Sequence, residues 1–594
     1  MKNFLTKKYY FVLLAFGALV SCQDILDETP SDKLSTERLL KSESGINGFR
    51  DQAYSYLDND FTSHHSGEML EVYTDDAVRA GSGACYNWHS GNLSADNTIF
   101  ANGLWGRYWG GIRKCNLALE YMPQSQVPED KISPADIERW MDEVKVLRAW
   151  YHFELIRNFG PLPFIREVIY DDYDGFQDIV RPEFGEIAAE IIAELDEVIN
   201  NEILPVRSAY PSEYSKINLA VAHALKSRVA LYAASALNNQ NNDTYWWELA
   251  KQYSSGAITN LQGEYGLISI EDYQNLFTEN IDVKNIEVLF RGNNQEAINK
   301  SDGVDLYGFL TNDRTNNCGA VPSQELVDCF EMLDGTLPVS QYDSEHVNPT
   351  FSNGYSENAG NEIYKNRDVR LNYAVVFNGC DYGRYKSMPQ GVPNSVIYTY
   401  EGKEFTGFNA NPLSQEEADK RRSVTGYYGR KFRQAAYWGS TVGNTQARKI
   451  YFRMAELYLN LAEAECELGN LDDAINALDV IRNRAGQPGL KDVPGFQNTK
   501  AFVMARIRNE RRVEFCFEGH RFYDQRRWKD LSGNNIVTGM KITSSNNDDD
   551  GEFSYERVKI NLPREAGSEK YYYLPLSVEE ARRLTGIGQP SEYY

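Results

Sequence analysis

The sequence predicts a mainly α-helical protein, in which helix pairs form a scaffold for a large, loop-rich and partly irregular face. Three observations support this prediction. Apolar residues recur at three- and four-residue spacing through several long stretches, which is the pattern of amphipathic helices. Small residues occur along one pair of these stretches, at 453–485. Between about residues 260 and 450 the apolar stripes thin out, and Gly, Asn, Ser, Tyr and Pro dominate.

The helical stretches form three pairs and one further helix. In the pair at 453–485, Gly469 permits a tight reversal of the chain, and Ala462, Ala474 and Ala477 would let the two helices approach closely. This pattern is typical of tetratricopeptide-type units. Since the pairs are far apart in the sequence, we expect them to meet in three dimensions rather than as a tandem array. The predicted helices are 137–159, 184–199, 219–237, 246–258, 453–468, 472–485 and 499–518.

The N-terminal segment predicts export and a lipid anchor. Three lysines precede a short apolar run, so residues 1–21 resemble a secretory signal. The run has about a dozen residues, fewer than the ~20 that a helix needs to cross a bilayer. The sequence Leu-Val-Ser-Cys that ends at Cys22 matches a bacterial lipobox, in which this thiol becomes the acylated N-terminus. Residues 22–44 are then predicted to form a lipid-anchored tether. The alternative is a plain secretory signal in which Cys22 has no role.

The rest of the chain divides into three parts. Residues 45–260 form an N-terminal helical part, 261–450 a loop-rich region, and 451–594 a C-terminal helical part. Within the loop-rich region, the runs 287–291 and 396–400 predict short strands. Long loops on a rigid scaffold commonly carry recognition residues, so we expect the ligand-binding face here and in the N-terminal loops.

Composition excludes some classes of function. The 594 residues are 42% hydrophobic and 25% charged, which is ordinary for a globular protein. The formal charge of −24 argues against nucleic-acid binding, which rests on clustered cations. Aromatic residues reach 13%, and an excess of Tyr and Trp favours a recognition surface. The eight cysteines include no C-x-x-C pair, which argues against a zinc ribbon; their disulfide pairing stays open.

Compact catalytic and metal-binding motifs are not found in the sequence. There is no H-E-x-x-H, P-loop, G-x-S-x-G or dinucleotide fingerprint. The doublet His64-His65 points in two directions and predicts no metal site. The run that starts at Asn546 begins like a calcium loop, but Arg557 stands where a bidentate Glu is required. We therefore predict no cofactor and no metal ligands; a structural calcium ion has no complete motif to support it.

Several segments together resemble the SusD/RagB family of outer-membrane nutrient-binding lipoproteins of the Bacteroidetes. The segment 143–163, EVKVLRAWYHFELIRNFGPLP, is similar to the signature helix and turn of that family. The resemblance continues in this order along nearly the whole mature chain, and only the last residues, 588–594, depart from the usual ending. The other similar segments are 105–116, 322–335, 367–370, 453–458, 481–485, 509–527 and 573–576.

The resemblance implies a function as well as a fold. Members of this family have a tetratricopeptide-like scaffold with an irregular ligand-binding face. They are lipid-anchored at the cell outer membrane, on its surface, and they deliver oligosaccharides to a partner SusC-type TonB-dependent transporter without catalysis. Three alternatives stay open: the same architecture binding peptides or another polymer, a surface glycoside hydrolase, and a purely structural helical-repeat scaffold. The sequence singles out no pair of carboxylates for glycoside hydrolysis.

The ligand-binding candidates follow from sugar chemistry. Sugars need aromatic rings for their C–H faces and planar polar groups for their hydroxyls. The region 73–105 offers both, and the resemblance places ligand contacts there. Trp88 is the first candidate because it is predicted in a loop without an apolar stripe, so Trp88→Ala should weaken binding without changing stability. Trp105 and Trp109, at helical spacing, are assigned to the core. The other candidates are Asp75, Asp76, Arg79, Tyr86, His89 and Asn97, followed by Tyr307, Asn312, Arg314, Tyr437 and Trp438.

Charged residues on the predicted helices are assigned a structural role. They recur on helix faces, so we expect them to form surface ion pairs rather than to contact ligand. These residues are Glu143, Arg148, Glu510, Arg511 and Arg512.

Overall fold

The structure of the protein is a computed structural model. It describes residues 36–58, 64–79, 83–170, 173–209, 215–278, 285–292, 304–305, 317–357, 360–381, 396–401, 423–432, 448–590 and 593.

Helices dominate the described residues, and their bounds agree closely with the apolar stripes. Every predicted long helix is present, and most bounds differ by three residues or fewer. The helices are α1 (Thr36–Leu40), α2 (Glu43–Tyr54), α3 (Ala84–His89), α4 (Ala101–Tyr121), α5 (Pro134–Phe159), α6 (Phe184–Asn201), α7 (Leu219–Ala234), α8 (Thr244–Leu261), α9 (Asn275–Thr278), α10 (Gln324–Cys329), α11 (Arg370–Ala374), α12 (Met454–Leu468), α13 (Leu471–Arg484), α14 (Lys500–Glu514), α15 (His520–Arg527) and α16 (Val578–Arg583).

The described strands are short and form two-stranded sheets. Strand β2 (Val288–Arg291), in the loop-rich region, pairs with β12 (Ile450–Arg453), and β1 (Ala77–Val78) pairs antiparallel with β5 (Val321–Pro322). The strands are β1 (Ala77–Val78), β2 (Val288–Arg291), β3 (Val304–Asp305), β4 (Asn317–Cys318), β5 (Val321–Pro322), β6 (Val339–Gln341), β7 (Thr350–Phe351), β8 (Val375–Val376), β9 (Cys380–Asp381), β10 (Val396–Ile397), β11 (Tyr428–Gly429), β12 (Ile450–Arg453), β13 (Thr538–Ser544) and β14 (Phe553–Lys559).

Local signals explain where the long helices begin and end. Helix α5 begins at a capping box, in which the Ser133 hydroxyl accepts from the Asp136 N–H and the Asp136 carboxylate accepts from the Ser133 N–H. Pro134 occupies the first turn, where its missing N–H costs no hydrogen bond. Helix α12 ends at Gly469, whose φ of 86° is accessible to glycine without strain.

The long helices pack side by side into one continuous stack. Helix α4 packs on α5, α5 on α6, α6 on α7 and α7 on α8. Helix α8 then packs on α12, although about 190 residues separate them in the sequence, and α12 packs on α13 and α14. The Arg228 guanidinium on α7 pairs with the Glu456 carboxylate on α12 at 2.6 Å, in the buried interior. The predicted meeting of distant helix pairs is confirmed.

Four of the five charged residues assigned to structural ion pairs form them, in buried or half-buried positions and not at the surface, whereas Glu143 accepts a hydrogen bond from the Tyr54 hydroxyl. The prediction of surface pairs is wrong because each residue lies between packed helices, where long-range partners surround it. Burying a charge is costly unless a partner and hydrogen bonds compensate it. The observed partners are Tyr54 for Glu143, Glu194 for Arg148, Arg370 for Glu510, Asp524 for Arg511 and Asp76 for Arg512.

The start of the packed body and one of the two tryptophans assigned to the core differ in part from prediction. Residues 36–40 of the predicted tether form helix α1, and Leu40 is buried, so the packed body extends further toward the N-terminus than expected. Trp105 lies in the core as predicted, whereas Trp109 is half-buried against it. Among the described helices, none has both the length and the apolarity to cross a bilayer.

Candidate functional site

The candidate region 73–105 belongs to the N-terminal part of the chain and contacts both the loop-rich region and the C-terminal part. Strand β1 pairs with β5, with Ala77 opposite Pro322 and Val78 opposite Val321. Helix α3 follows, and it packs on the short turn of 3₁₀-helix at 70–73. The structure therefore holds the candidate side chains on ordered elements. Some of them face the interior and others face solvent.

Trp88 lies inside an aromatic cluster, so the prediction that it stands in a loop without apolar partners is wrong. It belongs to helix α3 and is 2% exposed. Its ring stacks on Phe100 with centroids 5.7 Å apart, meets Tyr73 edge-on at 5.3 Å, and packs against Tyr571 at 4.9 Å. The Tyr571 hydroxyl also donates to the Trp88 carbonyl oxygen at 2.8 Å. A ring that is enclosed in this way cannot stack on a sugar.

Asp75 and Asp76 are buried and bound to arginines, so they are not available to sugar hydroxyls. The Asp75 carboxylate accepts two hydrogen bonds from Arg521, at 2.9 and 2.8 Å, and one from Gln525 at 2.8 Å. Asp76 accepts from the Arg512 Nε at 2.6 Å. Burial alone would raise the pKa of Asp75, but Arg512 and Arg521 outweigh burial and hold that pKa well below its ordinary value. These pairs tie the region to helices α14 and α15.

His89 is also a structural residue. It is buried, and its Nε2 lies 2.8 Å from the Val72 carbonyl oxygen, to which it donates in the matching tautomer. Burial, and after it the charge of Arg564, lowers the pKa of His89 well below its ordinary value. The ring is therefore neutral at physiological pH, and it connects α3 to the preceding turn.

Arg79 and Tyr86 are the candidates that reach the surface together. The Arg79 guanidinium is half-buried and paired with Glu68, whose carboxylate also accepts from the Tyr73 hydroxyl at 2.7 Å and from the Cys85 N–H at 2.8 Å. Tyr86 is on the outer face of α3 and is 42% exposed. The buried Glu68 carboxylate therefore fixes the position of Arg79 and the start of the helix that carries Tyr86.

Arg79 and Tyr86 line one shallow depression together with Pro563 and Arg564. This depression, which we call the Tyr86 depression, has a volume of about 20 Å³ and is open to solvent. The Arg564 Nη1 donates to the Thr74 carbonyl oxygen at 3.0 Å, which fixes the guanidinium. Burial lowers the pKa of Arg564 to about 10, so the group stays positively charged at neutral pH. An exposed ring beside two planar donors can receive the C–H face and the hydroxyls of a sugar.

The remaining candidates lie elsewhere. Asn97 is exposed in a turn whose backbone bonds to Ser94, and it does not line the Tyr86 depression. Arg564 is not among the residues predicted from the sequence, because it is almost 480 residues away from Tyr86 and belongs to no motif. Among the described residues, no group of three or more His, Cys, Asp or Glu side chains is arranged to hold a metal ion. Five predicted residues lie outside the described residues: Tyr307, Asn312, Arg314, Tyr437 and Trp438.

Comparison with known proteins identifies relatives that match almost the full length. Residues 24–231 match a family model described as "Starch-binding associating with outer membrane". A SusD-like protein, P2, from Formosa agariphila is 22% identical over 536 residues, which are 88% of this chain and 91% of that protein.

Solved structures have the same fold. A SusD-like protein from Bacteroides fragilis has a TM-score of 0.72 and 24% identity, covering 95% of this chain and 100% of its own. A second protein from that organism, described as a SusD-like carbohydrate binding protein, has a TM-score of 0.65 and 20% identity, covering 92% and 99%. The model of the SusD family matches residues 287–594, more than half of the chain. The chain therefore belongs to the SusD family.

Proposed function

We propose that this protein is a cell-surface lipoprotein that captures oligosaccharides and delivers them to a partner SusC-type TonB-dependent transporter in the outer membrane. The observation that carries the proposal is family membership along almost the whole chain. Two family models match residues 24–231 and 287–594, and the description of the first names both starch binding and the outer membrane. A protein of the same fold is described as carbohydrate binding.

The geometry of the Tyr86 depression supports binding of a sugar chain. Its exposed ring and two guanidinium groups stand on a base that the buried pairs of Asp75, Asp76 and Glu68 hold rigid. A rigid base reduces the entropy that binding costs, because the contact groups need no ordering.

The buried ion pairs beneath the Tyr86 depression favour binding over hydrolysis. A glycosidase needs two carboxyl groups beside the scissile bond, about 5–10 Å apart and free to exchange protons or attack. Around the Tyr86 depression, the carboxylates of Glu68, Asp75 and Asp76 are buried and paired with arginines. These buried pairs support the proposal that the described part of this site binds a ligand without cleaving it.

Tyr86→Ala is expected to weaken oligosaccharide binding about fivefold. The substitution removes a stacking ring worth about 1 kcal/mol, which corresponds to that factor in the dissociation constant. The measurement is isothermal titration with the tightest ligand found on a glycan array. Tyr245→Ala is the matched control, since Tyr245 is 58% exposed and lies on helix α8 away from the depression. An unchanged dissociation constant for Tyr86→Ala, or an equal loss in the control, would remove Tyr86 from the site.

Cys22→Ala is expected to move the protein from the outer-membrane fraction to the soluble fraction. Cys22 lies outside the described residues, and the proposed anchor rests on its lipobox. Each buried acyl methylene contributes about 0.8 kcal/mol, so loss of the chains removes the membrane affinity. Fractionation and mass spectrometry of the N-terminus test this. Ser31→Ala, in the same tether, should remain acylated; an unmodified Cys22 in the wild type would contradict the anchor.

A further inference from the structure

A second cavity, far larger than the Tyr86 depression, lies between helix α4, the segment after α5 and the C-terminal helix α16. Its volume is about 460 Å³, within the range of about 300–1,000 Å³ found for small-molecule sites. We call it the Trp109 cleft. It shares no lining residue with the Tyr86 depression. Its main lining residues are Trp105, Trp109, Ile165, Phe176, Glu580 and Arg583.

Trp105 and Trp109 form the aromatic wall of the Trp109 cleft, and contacts with neighbouring rings hold them in place. Trp105 meets Phe159 edge-on with centroids 5.2 Å apart, and it meets Trp109 edge-on at 5.7 Å. Trp109 also meets His152 edge-on at 6.3 Å. Trp105 is buried, whereas Trp109 is half-buried and lines the open side. The two indoles are therefore positioned before any ligand arrives.

Planar polar groups surround this aromatic wall and are free to bind. The side-chain head groups of Arg113, Glu167 and Glu580 enter no ion pair or hydrogen bond with other described residues, although all three line the cleft. The Arg583 guanidinium stacks over the Phe176 ring at 3.9 Å. The cleft thus offers two guanidinium donors and two carboxylate acceptors. This contrasts with the buried carboxylates below the Tyr86 depression, which are bound to arginines.

Aromatic surface continues out of the Trp109 cleft. Tyr170 lines the cleft and is 48% exposed, and its hydroxyl donates to the Glu120 carboxylate at 3.1 Å. Tyr173 is also exposed, and its ring meets Phe176 edge-on at 4.8 Å. Exposed apolar surface that is rimmed by polar groups marks binding sites. The segment after α5 therefore extends the aromatic wall of the cleft to the outer surface of the protein.

We propose that the Trp109 cleft is a second oligosaccharide-binding site. The inference rests on the proposed function of glycan capture and adds a separate site to it. Rings serve the C–H faces of a sugar, and paired planar donors and acceptors serve its hydroxyls. A purely apolar ligand would match the rings but would leave the charged groups at the rim without partners. Two sites on one rigid body would hold a long chain more tightly than either alone, because the second contact becomes intramolecular.

Gly106 offers a position at which a side chain can be introduced into the cleft. It lines the cleft on helix α4, and a Cβ atom placed there would have no heavy atom within 4 Å. Gly106→Trp should therefore occupy the cleft without a clash. Gly103→Trp is the matched control: it stands one turn earlier on α4, also has open space at its Cβ, and does not line the cleft. Arg113→Ala combined with Glu167→Ala removes polar contacts without filling the cleft.

The experiment titrates the full mature chain and these variants with oligosaccharides on a glycan array that includes maltoheptaose, xylohexaose, laminarihexaose and mannohexaose. For at least one probe, Gly106→Trp should abolish one of two binding events, or it should raise the dissociation constant at least about tenfold. A tenfold rise corresponds to about 1.4 kcal/mol of binding free energy. The double alanine variant should weaken the same event. Gly103→Trp should bind like the wild type.

The outcomes separate the two proposals. If Gly106→Trp binds every probe like Gly103→Trp, the Trp109 cleft is not a saccharide site, while glycan capture at the Tyr86 depression stands. If Gly106→Trp loses binding and Tyr86→Ala does not, the cleft stands and the Tyr86 site fails. If the wild type binds no oligosaccharide, both fail. If Gly106→Trp no longer binds an apolar dye such as anilinonaphthalene sulfonate, yet binds every saccharide like the wild type, the cleft is assigned to an apolar ligand. That result would overturn the inference.

Discussion

Trp88→Ala is expected to lower the free energy of unfolding by about 3–5 kcal/mol, the usual cost of deleting a buried tryptophan side chain. The substitution would leave a cavity inside the cluster of Tyr73, Phe100 and Tyr571, whose rings lie 4.9–5.7 Å from Trp88. Those neighbours belong to separate segments of the chain, so the site cannot collapse easily around the gap. Thermal or denaturant unfolding measures the loss.

The control for Trp88→Ala is Tyr245→Ala, which removes an exposed ring. Away from special contacts, surface substitutions usually change the free energy of unfolding by less than about 0.5 kcal/mol. The sequence alone predicts the opposite result for Trp88, with unchanged stability and weaker ligand binding. If Trp88→Ala unfolds like the wild type and binds oligosaccharide less well, the burial of Trp88 in its aromatic cluster would be contradicted.

Glu514→Ala is expected to lower the free energy of unfolding by about 3–5 kcal/mol, because it would leave several buried cations without their shared partner. The Glu514 carboxylate is 0% exposed and lies 2.8 Å from the Arg370 guanidinium and 2.5 Å from those of Arg453 and Arg484. These arginines come from three separate segments of the chain. Glu514 thus connects the loop-rich region, strand β12 and helix α13 to helix α14.

Acidification should weaken the same cluster. Burial alone would raise the pKa of Glu514, but Arg484, Arg453 and Arg370 outweigh burial and hold that pKa well below 4.5. A carboxyl group whose pKa is lowered on folding stabilises the native state above its unfolded pKa. The stabilisation is lost as the pH falls from about 4.5 through the folded pKa. The difference in stability between wild type and Glu514→Ala should therefore narrow progressively as the pH falls below about 4.5, and it should be lost only below the folded pKa.

The control for Glu514→Ala is Glu556→Ala, on the exposed side of strand β14. Glu556→Ala should leave the free energy of unfolding within about 0.5 kcal/mol of the wild type at neutral pH. Comparable losses in the two variants, or a difference between wild type and Glu514→Ala that persists unchanged at acid pH, would contradict the role of the buried cluster.

The sequence predicts the helical scaffold well because the residues that determine a helix are close together in the sequence. The apolar stripe of α5 and the turn at Gly469 both fall within short windows, and the observed bounds follow them. The family resemblance is predicted for the same reason, since its motifs are contiguous. The stacking of α8 on α12 was expected only in general terms, because the contact joins residues far apart in the sequence.

The candidate site was harder to predict because its environment is assembled from distant segments. Helix α3 has six residues, too few to display an apolar stripe, so Trp88 resembled a loop residue. Its partner Tyr571 is 483 residues away, and Arg521, the partner of Asp75, is 446 residues away. Burial and ion pairing at such positions depend on the whole fold. Trp109 was assigned to the core because its spacing is helical, but helical spacing does not distinguish a core residue from one that lines a cleft.

The most direct test of non-catalytic glycan capture is titration of the purified mature chain with the oligosaccharides of the glycan array, with reducing ends assayed in the same samples. We expect saturable binding of at least one class of oligosaccharide, with its chain length unchanged after prolonged incubation. If no oligosaccharide binds, or if new reducing ends accumulate, the protein does not act as a non-catalytic glycan-capture lipoprotein.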